Sequence, residues 1–254
     1  MSIVMTGGGT GGHLTIIRAV KEQLLLRQAQ EEMAESIEVI YIGSTQGQDQ
    51  QWFGDDEDFS HKYFFETRGV VNQKGFGKLR SLWMMLKATR QARRLLKKHE
   101  AKVVFSVGGF SAAATAFAAK SLGVPIVIHE QNVAIGSLNK LMKPYAKHFI
   151  SSYEAESHIK AYPIKQLFFD NARIRERVQT IIFLGGSQGA VAINKLALEL
   201  APTLKEGGIR IIHQAGERNI DEVRKAYKKL GVEAKVFGFT DKLSEYMKEA
   251  DFAV

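Results

Sequence analysis

The stretch from Met1 to Ile17, "MSIVMTGGGTGGHLTII", decides how the rest of the chain is read. An apolar run ends at Thr6, five glycines fill six positions from Gly7 to Gly12, and His13 opens a second apolar run. A short β-branched run, a glycine turn and an amphipathic run make a strand, a tight turn and a helix. The unit recurs as "VVFSVGGFSAAATA" (103–116) and "IIFLGGSQGAVAIN" (181–194). Repetition of this kind predicts parallel strands joined by helical crossovers.

Working outward, helix is expected over 14–36 and strands over 37–44 and 62–68. A basic helix follows over 79–100, then a strand at 101–109, a helix from 111 and a strand at 124–131. A second series opens near 179, with further strands at 209–216 and 234–240 and a helix near 221–230. The clean periodicity breaks over 162–179, so the reading is an α/β protein of two domains, 1–163 and 164–254. The closing "YMKEADFAV" resembles the start of a buried strand, and a truncated second domain is expected.

The 254 residues are 45% hydrophobic and 24% charged, proportions of a globular protein with material for a sizeable core. No apolar run reaches the roughly 18 residues of a bilayer span, and no secretory pattern opens the chain, so a cytoplasmic compartment is expected. With no cysteine, disulfides, thiolate metal sites and cysteine nucleophiles are excluded. The net charge of +8 is concentrated in 74–102, where ten lysines and arginines face one acid, Glu100. Such a block calls for an anionic partner. Nucleic acid is disfavoured, because few aromatics interleave and no reading motif appears.

A glycine turn between strand and helix aims backbone N–H groups and the helix N-terminus at an anion, so "TGGGTGGH" suits a phosphate or diphosphate. Gly7, Gly9 and Gly12 fit the dinucleotide spacing, yet the second strand ends "YIGSTQGQ" without the ribose-binding acid. A P-loop is worse served, since His13-Leu14 stand where Lys-Ser/Thr belong. A histidine at the head of a helix is disfavoured when charged, which suits a general base. His129, Glu130 and Asn132 lie at the C-terminal end of another strand, where open α/β sheets place their sites. Asp56 and Asp58 in "GDDED" are expected to form a solvated acidic loop; no metal and no cofactor is expected.

"GGTGGH", "GGFSAAATAFAAKSLGVPIVIHEQN" and "GGSQGA", in that order and spacing, resemble the bacterial MurG family over nearly the whole chain. The resemblance implies a GT-B fold of two Rossmann-like domains facing a cleft, and an inverting, metal-independent transfer. N-acetylglucosamine would pass from UDP-N-acetylglucosamine to the C4 hydroxyl of N-acetylmuramic acid in lipid I, giving lipid II for peptidoglycan, and with it cell-wall growth, shape and division. His13 would be the catalytic base or an acceptor-positioning group. Thr10, Gly11 and Gly12 would line the diphosphate and sugar side of the cleft, Asn132 would touch the donor sugar, and Glu130 would be a further substrate-binding residue. Ser187, with Gly186 and Gln188, would approach the uridine diphosphate.

Two departures follow. The family's Asn-Pro-Val-Arg reads "NARIR" here, so Arg175 or Arg173 would take the arginine's place. The Ser-Gly-Ala-Leu-Thr-x-x-Glu motif and a later glutamine motif, expected after "ADFAV", do not occur, which implies weak donor binding. The resemblance also implies peripheral attachment to the cytoplasmic face of the bacterial inner membrane. Phe76, Leu79, Trp83 and Lys87 would meet its anionic surface. Another GT-B enzyme with a different donor, or a non-catalytic nucleotide-binding protein, would share much of this pattern.

Overall fold

The computed structural model describes residues 1–30, 36–67, 76–186, 188–240 and 242–254, and within them the side chains of Phe76 and Lys78 are left aside. The chain divides into two compact units, Met1–Lys165 and Gln166–Val254.

The first unit runs β1 (Ser2–Thr6), α1 (Gly11–Ala29), β2 (Glu38–Ser44), α2 (Asp49–Phe53), β3 (His61–Phe65), α3 (Phe76–Lys98), β4 (Val103–Ser106), α4 (Ala113–Leu122), β5 (Ile126–Glu130), α5 (Ser137–Met142) and β6 (His148–Ser151). All six strands are parallel, in the order β3-β2-β1-β4-β5-β6. The order reverses direction between β1 and β4, the switch point at which such sheets open a crevice beyond their C-terminal ends. Successive β1 residues feed opposite faces, as a strand buried on both sides requires. Ile3 and Met5 pack with Leu14, Ile17, Tyr41 and Phe53, while Val4 packs with Ala88, Ala92, Ala114 and Ile128.

The second unit runs α6 (Gln166–Asp170), β7 (Thr180–Leu184), α7 (Val191–Glu206), β8 (Arg210–Gln214), α8 (Ile220–Lys229), β9 (Ala234–Phe237), α9 (Leu243–Glu249) and β10 (Phe252–Ala253). Its four strands are parallel in the order β10-β7-β8-β9. Phe183, Ala197, Ile211 and Tyr227 fill one face, and Ile182, Ile212 and Ala250 the other.

Three expectations change. The polar stretch after β2 contains α2, and "HFIS" forms the edge strand β6. The "GDDED" acids are not simply solvated. Asp56 and Asp58 accept hydrogen bonds at 2.5 and 2.7 Å from Lys21, whose side chain is only 3% exposed. A buried ammonium needs such partners, so this loop closes over the α1 face. The strand at the end of the chain pairs with β7, but Phe252 is 55% exposed, so it is not buried.

Helix α3 carries two apolar faces. Met84, Ala88, Ala92 and Leu96 are buried, whereas Leu79, Leu82, Trp83 and Leu86 are 48–65% exposed. Their spacing of 3, 4 and 7 residues puts the exposed set on one stripe. The Lys87 ammonium lies 5.7 Å from the Trp83 ring centre, and no helix among the described residues is long and apolar enough to cross a membrane.

Candidate active site

The loops after β1 and β4 meet at the switch point of the first sheet. The Gly8 N–H donates to the Gly108 carbonyl at 3.3 Å. A Cβ on Gly109, whose φ is +80°, would sit 2.4 Å from the Gly8 carbonyl oxygen. No L-residue fits there. Glycine at Gly7, Gly8 and Gly9 is likewise a packing requirement. A Cβ at these positions would lie 2.4–2.6 Å from Val107, Asp49 and Phe110 respectively.

Asp49, at the start of α2 and fully buried, holds this loop. Its Oδ2 accepts the Gly9 N–H at 2.7 Å, and its Oδ1 accepts the Ser44 N–H at 3.1 Å. The Tyr41 hydroxyl lies 2.9 Å from the same Oδ1 and 2.8 Å from the Gly7 carbonyl oxygen, so its one hydrogen serves one of them at a time. Burial, with the Asp49 charge beside it, pushes the Tyr41 phenol well above its ordinary range, which keeps it a neutral donor.

What the packing leaves bare is the head of α1. Gly12 is exposed, and a Cβ there would meet nothing within 4 Å. Thr10 is the N-cap residue in extended backbone, and its Oγ1 lies 3.0 Å from His13 Nδ1. The first N–H groups of a helix have no partner within it and favour an anion. Burial lowers the pKa of the His13 imidazole, against the opposing pull of Glu130 and Asp49. The ring is therefore neutral near pH 7, and a Thr10–Nδ1 contact leaves Nε2 as the second ring nitrogen.

At the end of β5, Glu130 is 1% exposed and spends both oxygens on its own loop. Oε1 accepts the Asn132 N–H and Nδ2 at 2.9 and 3.0 Å; Oε2 accepts the Gly136 N–H at 2.8 Å and Asn139 Nδ2 at 2.9 Å. His129 is buried beside it, its pKa lowered by that burial, with its ring edge-on to Tyr162.

In the second unit, the turn between β7 and α7 contains Gly186 at φ +73°, with open space where a Cβ would be. Gly189 and Gly216 are packed so closely that a Cβ on Gly216 would lie 2.1 Å from the Gly189 nitrogen. A neutral buried chain supports the turn. His213 Nδ1 meets the Tyr227 hydroxyl and Nε2 meets Asn194 Oδ1, each at 3.0 Å, while Asn194 Nδ2 donates to the Ala215 carbonyl at 3.1 Å. Burial pushes His213 down to about 4 and Tyr227 well up.

Residues 3–151 match the glycosyltransferase family 28 N-terminal domain, and residues 180–254 its C-terminal domain. All 254 residues align at 72% identity with the UDP-N-acetylglucosamine--N-acetylmuramyl-(pentapeptide) pyrophosphoryl-undecaprenol N-acetylglucosamine transferase of Sulfurovum sp., covering 72% of that protein. The chain belongs to the MurG family. The Sulfurimonas denitrificans protein of the same name is 50% identical over the same span, again 72% of its length. The MurG crystal structure from Acinetobacter baumannii superposes with a TM-score of 0.67 at 26% identity, over 99% of this chain and 72% of that one. A Neisseria meningitidis UDP-GlcNAc 2-epimerase, 12% identical with a TM-score of 0.56 over 98% of this chain and 75% of its own, shares the fold alone.

Placed on this MurG-family chain, the expected site residues separate. Thr10, Gly11, Gly12 and His13 share the head of α1, and Asn132 stands exposed beyond β5. Glu130 shapes its loop, its carboxylate accepting four hydrogen bonds inside it. The Arg175 guanidinium donates to the carbonyls of Ala250, Arg173 and Met247 at 2.9, 2.8 and 3.0 Å, at the C-terminal end of α9. Arg173 reaches Asp251 at 2.6 Å and the Lys248 and Ala250 carbonyls, and holds the Asp251 carboxyl down to about 2. Gln188 is exposed in the β7–α7 turn, and Ser187 lies outside the described residues. Asp49 went unrecognised as a support, because its contacts lie 5 to 40 residues away along the chain.

Proposed function

We propose that this chain transfers N-acetylglucosamine from UDP-N-acetylglucosamine to the C4 hydroxyl of N-acetylmuramic acid in lipid I, forming a β-1,4 bond and releasing UDP. The observation that carries this reading is the 72% identity to the Sulfurovum transferase across every residue of the chain. His13 takes the hydroxyl proton on Nε2 while Nδ1–H donates to Thr10, a tautomer consistent with their 3.0 Å separation. The exposed backbone at Gly12, with Gly11 beside it at the positive end of α1, meets diphosphate charge. Asn132 offers its side-chain oxygen to the donor sugar, its nitrogen being held by Glu130. The β7–α7 turn, with Ser187 and Gln188, meets the uridine diphosphate. The product feeds peptidoglycan synthesis, and through it cell shape and division.

The test is calorimetric titration of UDP-N-acetylglucosamine, with UDP-glucose and NAD as controls. Selective heat with the first supports the reading; NAD binding, or no preference between the two sugars, overturns it.

The exposed stripe Leu79, Leu82, Trp83 and Leu86, flanked by Arg80, Lys87 and Arg90, supports peripheral attachment to the anionic cytoplasmic face of the inner membrane. Trp83→Glu is expected to reduce co-sedimentation with anionic vesicles at unchanged thermal stability. Retention equal to the parent's would refute the attachment.

A further inference from the structure

At the other end of the first sheet from the glycine loops, three side chains converge that the transferase reading does not use. Glu38 is the first residue of β2, His61 the first of β3, and His99 follows the last turn of α3. Glu38 Oε1 lies 3.3 Å from His61 Nε2 and 3.3 Å from His99 Nδ1. The three donor atoms all fall within 4.8 Å of one another.

We propose that Glu38, His61 and His99 form a binding site for a divalent transition metal of the zinc class, with one coordination position left to water.

The chemistry of the set is two imidazole nitrogens and one carboxylate oxygen, the three-ligand complement that zinc takes when a fourth position is open. Bonds of about 2.0–2.1 Å at the tetrahedral angle place donor atoms about 3.3 Å apart, which is the spacing of both His–Glu pairs. Charge-assisted N–H···O bonds between imidazolium and carboxylate settle at about 2.7–2.9 Å. The two rings stand farther from the carboxylate than a pair of such bonds would hold them. The rings themselves are 4.6 Å apart at their centres.

The outer contacts also suit a ligand set. The distal nitrogen of His99, Nε2, lies 2.9 Å from the Tyr63 hydroxyl on β3. With Nε2–H donating to the Tyr63 oxygen, the tautomer leaves Nδ1 free for metal. The His99 backbone is tied to the helix by its N–H to Leu95 at 3.0 Å, and the next residue, Glu100, turns the chain in left-handed backbone at φ 47°. The His99 side chain is 6% exposed, whereas His61 is 47% exposed, so the cluster has one anchored member and one face open to entry. No sequence motif announces it, since the three ligands are 23 and 38 residues apart and meet only through the β2–β3 pairing and the return of α3. A bound ion would clamp the C-terminal end of α3 to the sheet edge.

The experiment uses the full, tag-free chain stripped with chelator, titrated with Zn²⁺ by calorimetry and with Co²⁺ by visible absorption. The expected results are one Zn²⁺ per chain, a raised thermal midpoint, and the strong d–d bands of four-coordinate Co²⁺. Glu38→Gln and His61→Ala, at exposed or half-exposed positions, should each weaken binding at least about tenfold. Tyr63→Phe, which keeps all three ligands, should weaken it by about 10-fold. His158→Ala, at an exposed histidine elsewhere, should change nothing. Metal-free thermal midpoints of all variants establish that they are folded. Absence of stoichiometric binding by the parent, or binding that survives Glu38→Gln and His61→Ala, would overturn the proposal.

Discussion

Gly12 at the head of α1 and Gly186 in the β7–α7 turn both have open space where a Cβ would stand, yet they are glycines for different reasons. Gly186 has φ +73°, so its backbone alone accounts for the residue. Gly12, the second residue of α1, has no positive φ to require glycine, and nothing in the packing forbids a side chain. Its bareness points outward, to what approaches the loop. The supports differ as well. The first loop hangs on a buried carboxylate, Asp49, and the second on the neutral chain Tyr227–His213–Asn194.

The largest stability effect is expected where the first loop leaves no room. Gly109→Ala combines positive φ with a backbone contact at 2.4 Å, and should cost about 3 kcal/mol or more, read as a lower thermal midpoint of the first unit. A midpoint within error of the parent would show that the loops slide apart freely. Next come the supports. Asp49→Asn puts an amide where two backbone N–H donors need acceptors, costing about 2–3 kcal/mol; Asn194→Ala should cost about 1–2 kcal/mol, the smaller loss because no charge is involved. Equal costs in denaturant titrations would erase the distinction between a charged and a neutral support.

Acid should separate the units further. The folded-state pKa of His213, about 4, lies below its ordinary 6.5, so the folded form prefers the neutral ring. Its stabilisation is fully present above 6.5 and is lost as pH falls through about 4. Amide exchange in β8, corrected for intrinsic rates, should therefore accelerate over that window; constant protection would contradict a buried neutral His213. The smallest effect belongs to Gly12→Ala, which should stabilise α1 by about 0.5–1 kcal/mol while impairing transfer.

The alternation of apolar runs made the sheets legible, because β1, β2, β4, β5, β7 and β8 are all buried runs flanked by glycine or polar turns. β6 escaped notice since "HFIS" is four residues at an edge, with His148 exposed. The glycine turn running into the head of α1 from Thr10 to His13 was legible as strand, turn and helix. The supporting shell was not. Nothing in the sequence marks Asp49 until the fold brings it under Gly9, nor the Arg175 contacts with the Ala250, Met247 and Arg173 carbonyls. Long-range partners of single charged residues leave no periodic trace.

The central claim is that this chain is a transferase whose chemistry passes through the neutral His13. The most direct measurement is turnover of UDP-N-acetylglucosamine with a lipid I analogue by the parent chain and by His13→Ala, with thermal midpoints matched. A product from the parent, and a loss of about 10²- to 10⁴-fold in kcat on His13→Ala, is the result the account predicts. Undiminished turnover by His13→Ala, or no product from the parent, would contradict it.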